Sequence, residues 1–220
     1  LLYQDFEEYV ESKAYYEKAL SLDPENITAL IDMGNVCFKL YDYQTALELY
    51  KRVFALNSDN KIVAICVANT LTLMKDREQA YVWFEKALAM EGDNYKAYIC
   101  YAIALSEFEE YDVAVGMYNK AIELQPKETT AYVLLANLYT NFNHLDEAMT
   151  LYKKVLTLKP NDSEVYMLLG NAHYLKGEIE LALGAYKSAM TIAPENDEYK
   201  LIYVQVLDEY VDQNNKGEAA

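Results

Sequence analysis

Glycine and proline are scarce in this chain of 220 residues, which has 7 of the first and 4 of the second. An all-β sandwich or barrel needs a turn about every 8–12 residues, and these two residues supply most such turns. Uncharged apolar runs of roughly 18–20 residues, the length that crosses a membrane, are missing as well. Because 53% of the residues are nevertheless hydrophobic, there is ample material for a core. The composition predicts a mostly helical protein without membrane insertion.

Basic residues are outnumbered, with 19 Lys and Arg against 35 Asp and Glu and a formal net charge of −16. Such a chain is repelled by the phosphate backbone of nucleic acids and by anionic lipid surfaces. We therefore expect no nucleic-acid partner, and an RNA-reading helical-repeat protein is disfavoured. The acidic exterior favours basic protein partners in the encounter step.

Cysteine is also rare, with Cys37, Cys66 and Cys100 making an odd count without a close pair. This usage disfavours a disulfide framework and favours a reducing compartment, so we expect a cytoplasmic location. The chain starts at Leu1 without an initiator methionine, and we expect the parent protein to extend further upstream.

The few prolines mark a repeat. Pro126, Pro160 and Pro194 are 34 residues apart, and Pro24 lies three such intervals before Pro126. A fixed period of this length is typical of repeat architectures. Frames of 34 residues that start at Ile27 predict five complete repeats without insertions. These repeats are 27–60, 61–94, 95–128, 129–162 and 163–196.

The sequence outside the five repeats continues the pattern at both ends. Residues 1–26 fit the frame as a partial N-terminal repeat, so we expect the chain to begin in the middle of a first helix. Residues 197–212 are expected to form a C-terminal capping helix that covers the last repeat. The apolar residues expected on its packing face are Leu201, Val204, Leu207 and Val211. Residues 213–220 are interpreted as a polar tail.

Three positions of the frame predict how each repeat folds. Position 20 is always alanine: Ala46, Ala80, Ala114, Ala148 and Ala182. Position 24 is always aromatic: Tyr50, Phe84, Tyr118, Tyr152 and Tyr186. Position 34 carries Asn26, Asn60, Asn94, Asp162 and Asn196, with Glu128 as the exception, and the Asn and Asp side chains are predicted to cap the helix that follows. Because apolar residues also recur at steps of three and four, each repeat is predicted to be a helical hairpin in which large rings pack against small residues.

These positions resemble the tetratricopeptide repeat, whose pattern is a large residue, Leu-Gly, Tyr, then Ala, an aromatic, Ala and Pro. Repeat 129–162 carries the pattern as Tyr132, Leu135, Ala136, Tyr139, Ala148, Tyr152, Val155 and Pro160. The departures are Ser58 and Gly92 in place of the last proline, and Ala64 and His173 at large-residue positions. The resemblance implies an all-α fold, a right-handed superhelical solenoid of helix–turn–helix repeats whose first helices line a concave groove.

Patterns that carry catalysis or metal binding are few. Neither His144 nor His173 has a partner at metal-ligand spacing, and His173 occupies a core position of the frame. Phosphate-binding glycine loops and nucleophile elbows do not occur. Cys66 and Cys100 share one position of adjacent repeats, roughly 10 Å apart for packed helices and too far for a disulfide. We predict no catalytic residues, no metal and no cofactor, and interpret the chain as a non-enzyme.

The resemblance places positions 2, 5, 6, 9, 12 and 13 of each first helix at the groove. Those positions are largely apolar, and their charged residues sum to −1. Position 9 is asparagine in four repeats; its amide could pair with the backbone of an extended peptide, although asparagine is also common there in the family. Position 5 lacks the Lys and Arg with which chaperone-binding members hold a carboxylate, so that role is disfavoured. The predicted peptide-binding residues are Ile31, Asn35, Phe38, Ile65, Asn69, Ile99, Ile103, Val133, Asn137, Met167, Asn171 and Tyr174.

Three functions remain open at this point. The leading hypothesis is a non-catalytic scaffold that binds an apolar extended or amphipathic segment of another protein in the groove. A second is the substrate-recruiting arm of a larger enzyme, and a third is a self-assembling platform in which an end of one copy docks into another. The fold does not choose among them.

Overall fold

The computed structural model describes the backbone of residues 2–218 and the side chains of residues 8–212. Within that range the chain forms twelve helices and no strand, which confirms the all-α class. The helices are α1 (Leu2–Leu22), α2 (Ile27–Lys39), α3 (Tyr43–Leu56), α4 (Lys61–Leu73), α5 (Arg77–Ala89), α6 (Tyr95–Glu107), α7 (Tyr111–Leu124), α8 (Thr130–Asn141), α9 (Leu145–Leu158), α10 (Ser163–Leu175), α11 (Ile179–Ile192) and α12 (Asp197–Glu218).

The helices pair along the chain into hairpins, α2 with α3, α4 with α5, and so on to α10 with α11. The first helix of each hairpin begins at the first residue of its 34-residue frame or one residue later. The chain divides into two compact units, unit 1 (Leu1–Leu124, with α1–α7) and unit 2 (Gln125–Ala220, with α8–α12). Each unit is therefore a stack of helical hairpins.

The turn inside each hairpin has one residue in the left-handed region, at position 15 of the frame. Four of these five residues are not glycine: Tyr41, Lys75, Glu109 and Asn143 have φ of 61–64°, and Gly177 has 81°. The next backbone N–H donates to a carbonyl five residues earlier, as Asp42 N does to Cys37 O at 2.9 Å, which closes the helix end. Since a non-glycine residue there costs about 1–2 kcal/mol, the packing of the two helices must offset it.

The predicted caps form at most but not all helix starts. Asn26, Asn60 and Asp162 accept from the backbone N–H three residues on, at 3.0–3.1 Å. The prediction is wrong for Asn94, which makes no cap bond and instead accepts from Lys61 Nζ. Gly92, with φ of 101°, replaces the usual proline at this corner, so the chain approaches α6 along a different path.

The contact between position 24 and position 8 organises each hairpin, and we call it the interlock. All five aromatic residues at position 24 are at most 3% exposed. A Cβ added to Gly34 would lie 2.6 Å from Cε1 of Tyr50, and one added to Gly170 would lie 2.4 Å from Cε1 of Tyr186. The rings therefore lie directly against the backbone of the first helix, and burial raises the pKa of Tyr186 to about 12.

The N-terminal segment differs from the expectation. Residues 1–26 were expected to contain the end of a first helix, a turn and a second helix, but α1 is one continuous helix from Leu2 to Leu22. Residue 7, which corresponds to position 15, is helical rather than left-handed. The backbone of α1 therefore keeps its helical hydrogen bonds through the turn position of the frame.

The C-terminal helix covers the last hairpin, but with a different face from the one predicted. Val206 is 6% exposed and packs with Tyr199, Ile202 and Tyr203 against the cluster of Met167, Ala182, Tyr186 and Ala189. Three of the four residues expected on that face, Leu201, Val204 and Val211, are 46–58% exposed. The helix also continues past residue 212 to Glu218, through most of the predicted polar tail, and residues 219–220 lie outside the described range. The face of α12 that carries Tyr199 and Tyr203 has more apolar surface to bury than the face that carries Leu201, Val204 and Val211. This difference determines which face of the helix packs against the last hairpin.

His173 is a packed core residue, as predicted. It is 6% exposed, and its Nδ1 lies 2.6 Å from Glu178 Oε2 across the turn between α10 and α11. Hydrogen bonds from His173 and Lys176 lower the pKa of Glu178. His173 is the one polar residue at position 11, where the other repeats carry apolar or aromatic residues. The Glu178 carboxylate, at the start of α11, gives its buried ring a hydrogen-bond partner.

Truncation of Tyr152 tests the interlock. Tyr152 is 1% exposed and its Oη donates to Asn137 Oδ1 at 2.6 Å. We expect Tyr152→Ala to lower the free energy of unfolding by about 3–5 kcal/mol, as for other buried aromatics. Tyr152→Phe keeps the ring, loses the hydrogen bond and should cost only about 0.5–1.5 kcal/mol. Urea titrations followed by circular dichroism measure both, and a loss below about 1 kcal/mol for Tyr152→Ala would contradict the packing.

A pair of glycine substitutions in one hairpin separates packing from helix propensity. Gly170→Ala places a methyl group on the Tyr186 ring and should destabilise the protein by about 1–3 kcal/mol. Gly184, in α11, has no atom within 4 Å of an added Cβ. Gly184→Ala should therefore stabilise the protein by about 0.5–1 kcal/mol, because alanine favours the helix. Thermal unfolding of both variants gives the comparison, and shifts of the same sign would argue against the close approach at Gly170.

Candidate functional site

The twelve residues predicted to bind a peptide differ in how much surface they offer. Ile65, Ile99 and Met167, all at position 5, are 5–7% exposed and belong to the core. These three side chains are buried where neighbouring helices pack together. Their role in ligand binding stays a prediction. The others are half-buried or exposed: Ile31, Asn35, Phe38, Asn69, Ile103, Val133, Asn137, Asn171 and Tyr174.

Two cavities open beside the first helices of unit 1. The larger has a volume of about 240 Å³ and is lined by Phe38, Asn69, Thr72, Leu73, Cys100, Ile103, Ala104 and Glu107. The smaller, about 130 Å³, is lined by Asn35, Phe38, Tyr50, Cys66 and Asn69. They share Phe38 and Asn69, so they meet at one point of the surface. We call this pair of cavities the α2–α6 pocket.

The α2–α6 pocket brings together four of the seven peptide-binding residues predicted in unit 1. Asn35, Phe38, Asn69 and Ile103 line it, whereas Ile31, Ile65 and Ile99 do not. Sequence reasoning missed Ala104 as a lining residue. The signal was a small side chain: Ala104 stands at position 10, where most other repeats carry a larger residue. A larger side chain there would fill part of the space.

The asparagines at position 9 have a structural partner through their amide oxygens. Tyr50 Oη donates to Asn35 Oδ1 at 2.8 Å, and Tyr186 Oη donates to Asn171 Oδ1 at 2.9 Å. Tyr152 and Asn137 make the same bond. With the oxygen held by the ring, the amide nitrogens of these asparagines keep their donors for other partners.

Asn69 is the exception, because position 24 of its repeat is Phe84 and has no hydroxyl. Burial raises the pKa of the neighbouring Cys100 thiol, and a hydrogen bond from the Asn69 amide to its sulfur lowers that pKa by a smaller amount. Burial also raises the pKa of Cys66 to about 11. Both thiols are therefore protonated near neutral pH, the unreactive form, which suits an apolar wall and not nucleophilic chemistry.

The rim of the α2–α6 pocket is electrically neutral. Glu107 Oε2 lies 3.2 Å from Lys75 Nζ, and both side chains are more than half exposed. Such a pair contributes little to stability and cancels the local charge. Among the described side chains, no group of three or more His, Cys, Asp and Glu could hold a metal ion. The arrangement is suited to burying an apolar group beside a few hydrogen-bond donors.

The predicted residues of unit 2 are tied more closely into their own fold. Tyr174 Oη donates to Glu209 Oε2 on α12 at 2.8 Å, so the hydroxyl already has a partner. The amide oxygens of Asn137 and Asn171 accept hydrogen bonds from the hydroxyls of Tyr152 and Tyr186. Over the described part of the chain, no helix is long and apolar enough to pass through a bilayer.

Comparisons with known proteins agree with the repeat frame. One tetratricopeptide-repeat family model matches residues 105–172, and a second matches residues 1–26 and 163–196. Together these matches span more than half of the chain. Curated protein sequences give no match.

Solved structures share the fold at low sequence identity. PilW, described as a type IV pilus biogenesis factor, is 19% identical, with a TM-score of 0.74 over 91% of this chain and 93% of PilW. Yeast Tom70 is 22% identical, with a TM-score of 0.73 over 92% of this chain and 43% of Tom70. YrrB, described as a TPR protein with an unusual peptide-binding site, is 22% identical, with a TM-score of 0.58 over 85% of this chain and 96% of YrrB.

Family models of the tetratricopeptide repeat and whole structures built of this repeat thus both match the chain. Repeats of this kind typically serve as non-catalytic scaffolds for protein–protein interaction. The chain belongs to the tetratricopeptide-repeat family.

Proposed function

We propose that this chain is a non-catalytic scaffold that binds an apolar segment of another protein on the first helices of its repeats, with an anchoring side chain in the α2–α6 pocket. The observation that carries the proposal is the pocket itself, about 240 Å³ in its larger part, apolar, and bordered by Asn35 and Asn69. The larger part is smaller than the roughly 300–1,000 Å³ of small-molecule sites and suits a single side chain. The peptide-binding site named for YrrB is a property of that protein and agrees with this use of the fold.

Hydrophobic burial supplies most of the affinity in this proposal. Full burial of a Leu, Met or Phe side chain contributes about 1.5–3 kcal/mol. Phe38, Leu73 and Ile103 offer the apolar contacts. Because the pocket exists without a ligand, little ordering of the scaffold opposes binding. The neutral Lys75–Glu107 rim gives no preference for a charged end of the peptide.

The asparagine amides supply orientation. The donors of Asn35 can reach a backbone carbonyl of an extended segment while its oxygen stays bonded to Tyr50. Each such bond contributes about 0.5–1.5 kcal/mol, so the amides align the segment and the anchor holds it.

A polar substitution in the pocket tests the anchor. Ile103 lines the larger cavity and is 41% exposed, so Ile103→Gln should keep the fold. Peptides selected from a random library displayed on phage should share an apolar residue, and Ile103→Gln should weaken their binding about tenfold, as expected for one partly buried side chain. Fluorescence anisotropy with the selected peptides measures the change.

Val113→Gln is the matched control, since Val113 is 45% exposed on the second helix α7 of the same unit. It should leave the affinity unchanged. If the library yields no peptide, or if both variants bind as the wild type does, the α2–α6 pocket is not the anchor site.

The donor role of the amides is tested at Asn69, the one position-9 asparagine in a repeat whose position 24 lacks a hydroxyl. Asn69→Asp keeps the shape of the side chain, removes both N–H donors and leaves a carboxylate to which the protonated Cys100 thiol can donate. We expect peptide affinity to fall about tenfold, with the melting temperature nearly unchanged. Asn119→Asp, at an exposed site of α7, introduces the same charge away from the pocket. An equal loss of affinity in the two variants would assign the effect to charge alone.

A further inference from the structure

The outer face of α12 is an exposed apolar surface. Leu201, Val204 and Val211 are 58%, 48% and 46% exposed, although the opposite face of the same helix already packs into the core of unit 2. We call this surface the α12 stripe, and it includes Asp208, which lies between Val204 and Val211. An ordinary closing helix presents a polar outer face, so these side chains call for a different explanation.

The spacing of the α12 stripe fits a helical partner. Positions 201, 204, 208 and 211 follow steps of three, four and three, the pattern of a seam between two packed helices. The stripe is about 15 Å long at 1.5 Å per residue, or nearly three turns. An extended segment would meet its residues out of step, whereas a helix with the same heptad pattern matches all of them.

The helix that carries the stripe is held firmly in place. Glu209 accepts from Tyr174 Oη at 2.8 Å, and Glu180 accepts from Tyr210 Oη at 2.5 Å. These bonds join α12 to α10 and to α11. The stripe is therefore preformed, and a partner would not have to order it.

Two carboxylates specify the charge of the partner. Asp208 lies within the stripe, and Asp212 follows one turn later on the same side. Neither has an ion pair or hydrogen bond among the described residues, whereas Asp197 on the same helix pairs with Lys200 at 2.8 Å. An apolar partner that covered the stripe would remove water from the Asp208 carboxylate without compensation, which is unfavourable. A Lys or Arg of the partner removes that cost.

We propose that the α12 stripe binds a basic amphipathic helix of another protein. Apolar residues of that helix pack on Leu201, Val204 and Val211, and its Lys or Arg side chains pair with Asp208 and Asp212. The surface lies in unit 2 and shares no residue with the α2–α6 pocket, so this inference does not depend on the proposed function.

A second copy of the chain fits the stripe poorly. In a parallel pair the two Asp208 carboxylates would face each other, and in an antiparallel pair centred on the stripe each would face Val204. Either arrangement leaves a carboxylate at the seam without a cation, which is unfavourable. The charge pattern therefore selects a partner with a basic helix over self-association.

The probe is a synthetic helical peptide with leucine at heptad positions a and d and lysine at e and g. Its two controls are a peptide of the same composition with the leucines scrambled and a peptide with glutamate in place of lysine. Calorimetric titration of the whole chain should show binding of the first peptide alone, weakening as salt is raised. Failure of the first peptide to bind, or equal binding of the scrambled one, overturns the proposal.

Variants of the chain locate the site. Leu201→Gln should weaken binding about tenfold, and Leu181→Gln, at a residue 57% exposed on α11, should not change it. Asp208→Asn should weaken binding several-fold and flatten its salt dependence, unlike Asp59→Asn, which removes the same charge in unit 1. Circular dichroism checks the fold of each variant. If Asp208→Asn and Asp59→Asn act alike, attraction to the net charge of −16 explains the binding and the stripe is not the site. A dimer lost in Leu201→Gln, seen by light scattering, would assign the stripe to a second copy.

Discussion

The contact of an aromatic ring at position 24 with a small residue at position 8 is the constraint on which each hairpin depends. At Gly34 and Gly170 the ring lies so near the backbone that a single methyl group would collide with it. This contact determines how closely the two helices of a hairpin approach. It also buries a hydroxyl in four of the five repeats, and a buried hydroxyl needs a hydrogen-bond partner.

The interlock also determines what the first helices present to a ligand. The tyrosine hydroxyl at position 24 donates a hydrogen bond to the amide oxygen of the position-9 asparagine. The oxygen therefore stabilises the hairpin, while the amide nitrogen can donate to a ligand. Where the pattern is interrupted, by Phe84 at position 24 and Ile103 at position 9, the surface of unit 1 is apolar and open. The structural and the peptide-binding interpretations of these asparagines are thus compatible, because each uses a different end of the amide.

The two proposed surfaces differ in the partner that each selects. The α2–α6 pocket has a neutral rim, and we propose that it takes one apolar side chain of a segment aligned by amides. The α12 stripe has the spacing of a helix seam, and its Asp208 has no ion pair among the side chains that the structure describes. One chain would then bind an extended segment at one place and a basic helix at another, which suits a scaffold that brings two proteins together.

Much of the fold was predictable because repetition makes each local signal appear five times. The period, the caps at Asn26, Asn60 and Asp162, and the burial of the position-24 rings followed from residue types alone. Apart from the missing cap at Asn94, the failures occurred outside the five complete repeats. Neither α1 nor α12 forms a complete hairpin of the frame, so the local pattern does not state which packing is best there.

By itself the sequence determined the helical repeat, the burial of the position-24 rings and the acidic charge, because helix periodicity and capping act over a few neighbouring residues. Only the tertiary structure decided which face of α12 is buried, that Ile65, Ile99 and Met167 lie in the core, and that side chains from α2, α3, α4 and α6 enclose a pocket. These properties depend on which of several apolar surfaces, far apart in the sequence, pack against one another in the folded chain. That choice is settled by the total apolar area buried, which no single helix encodes.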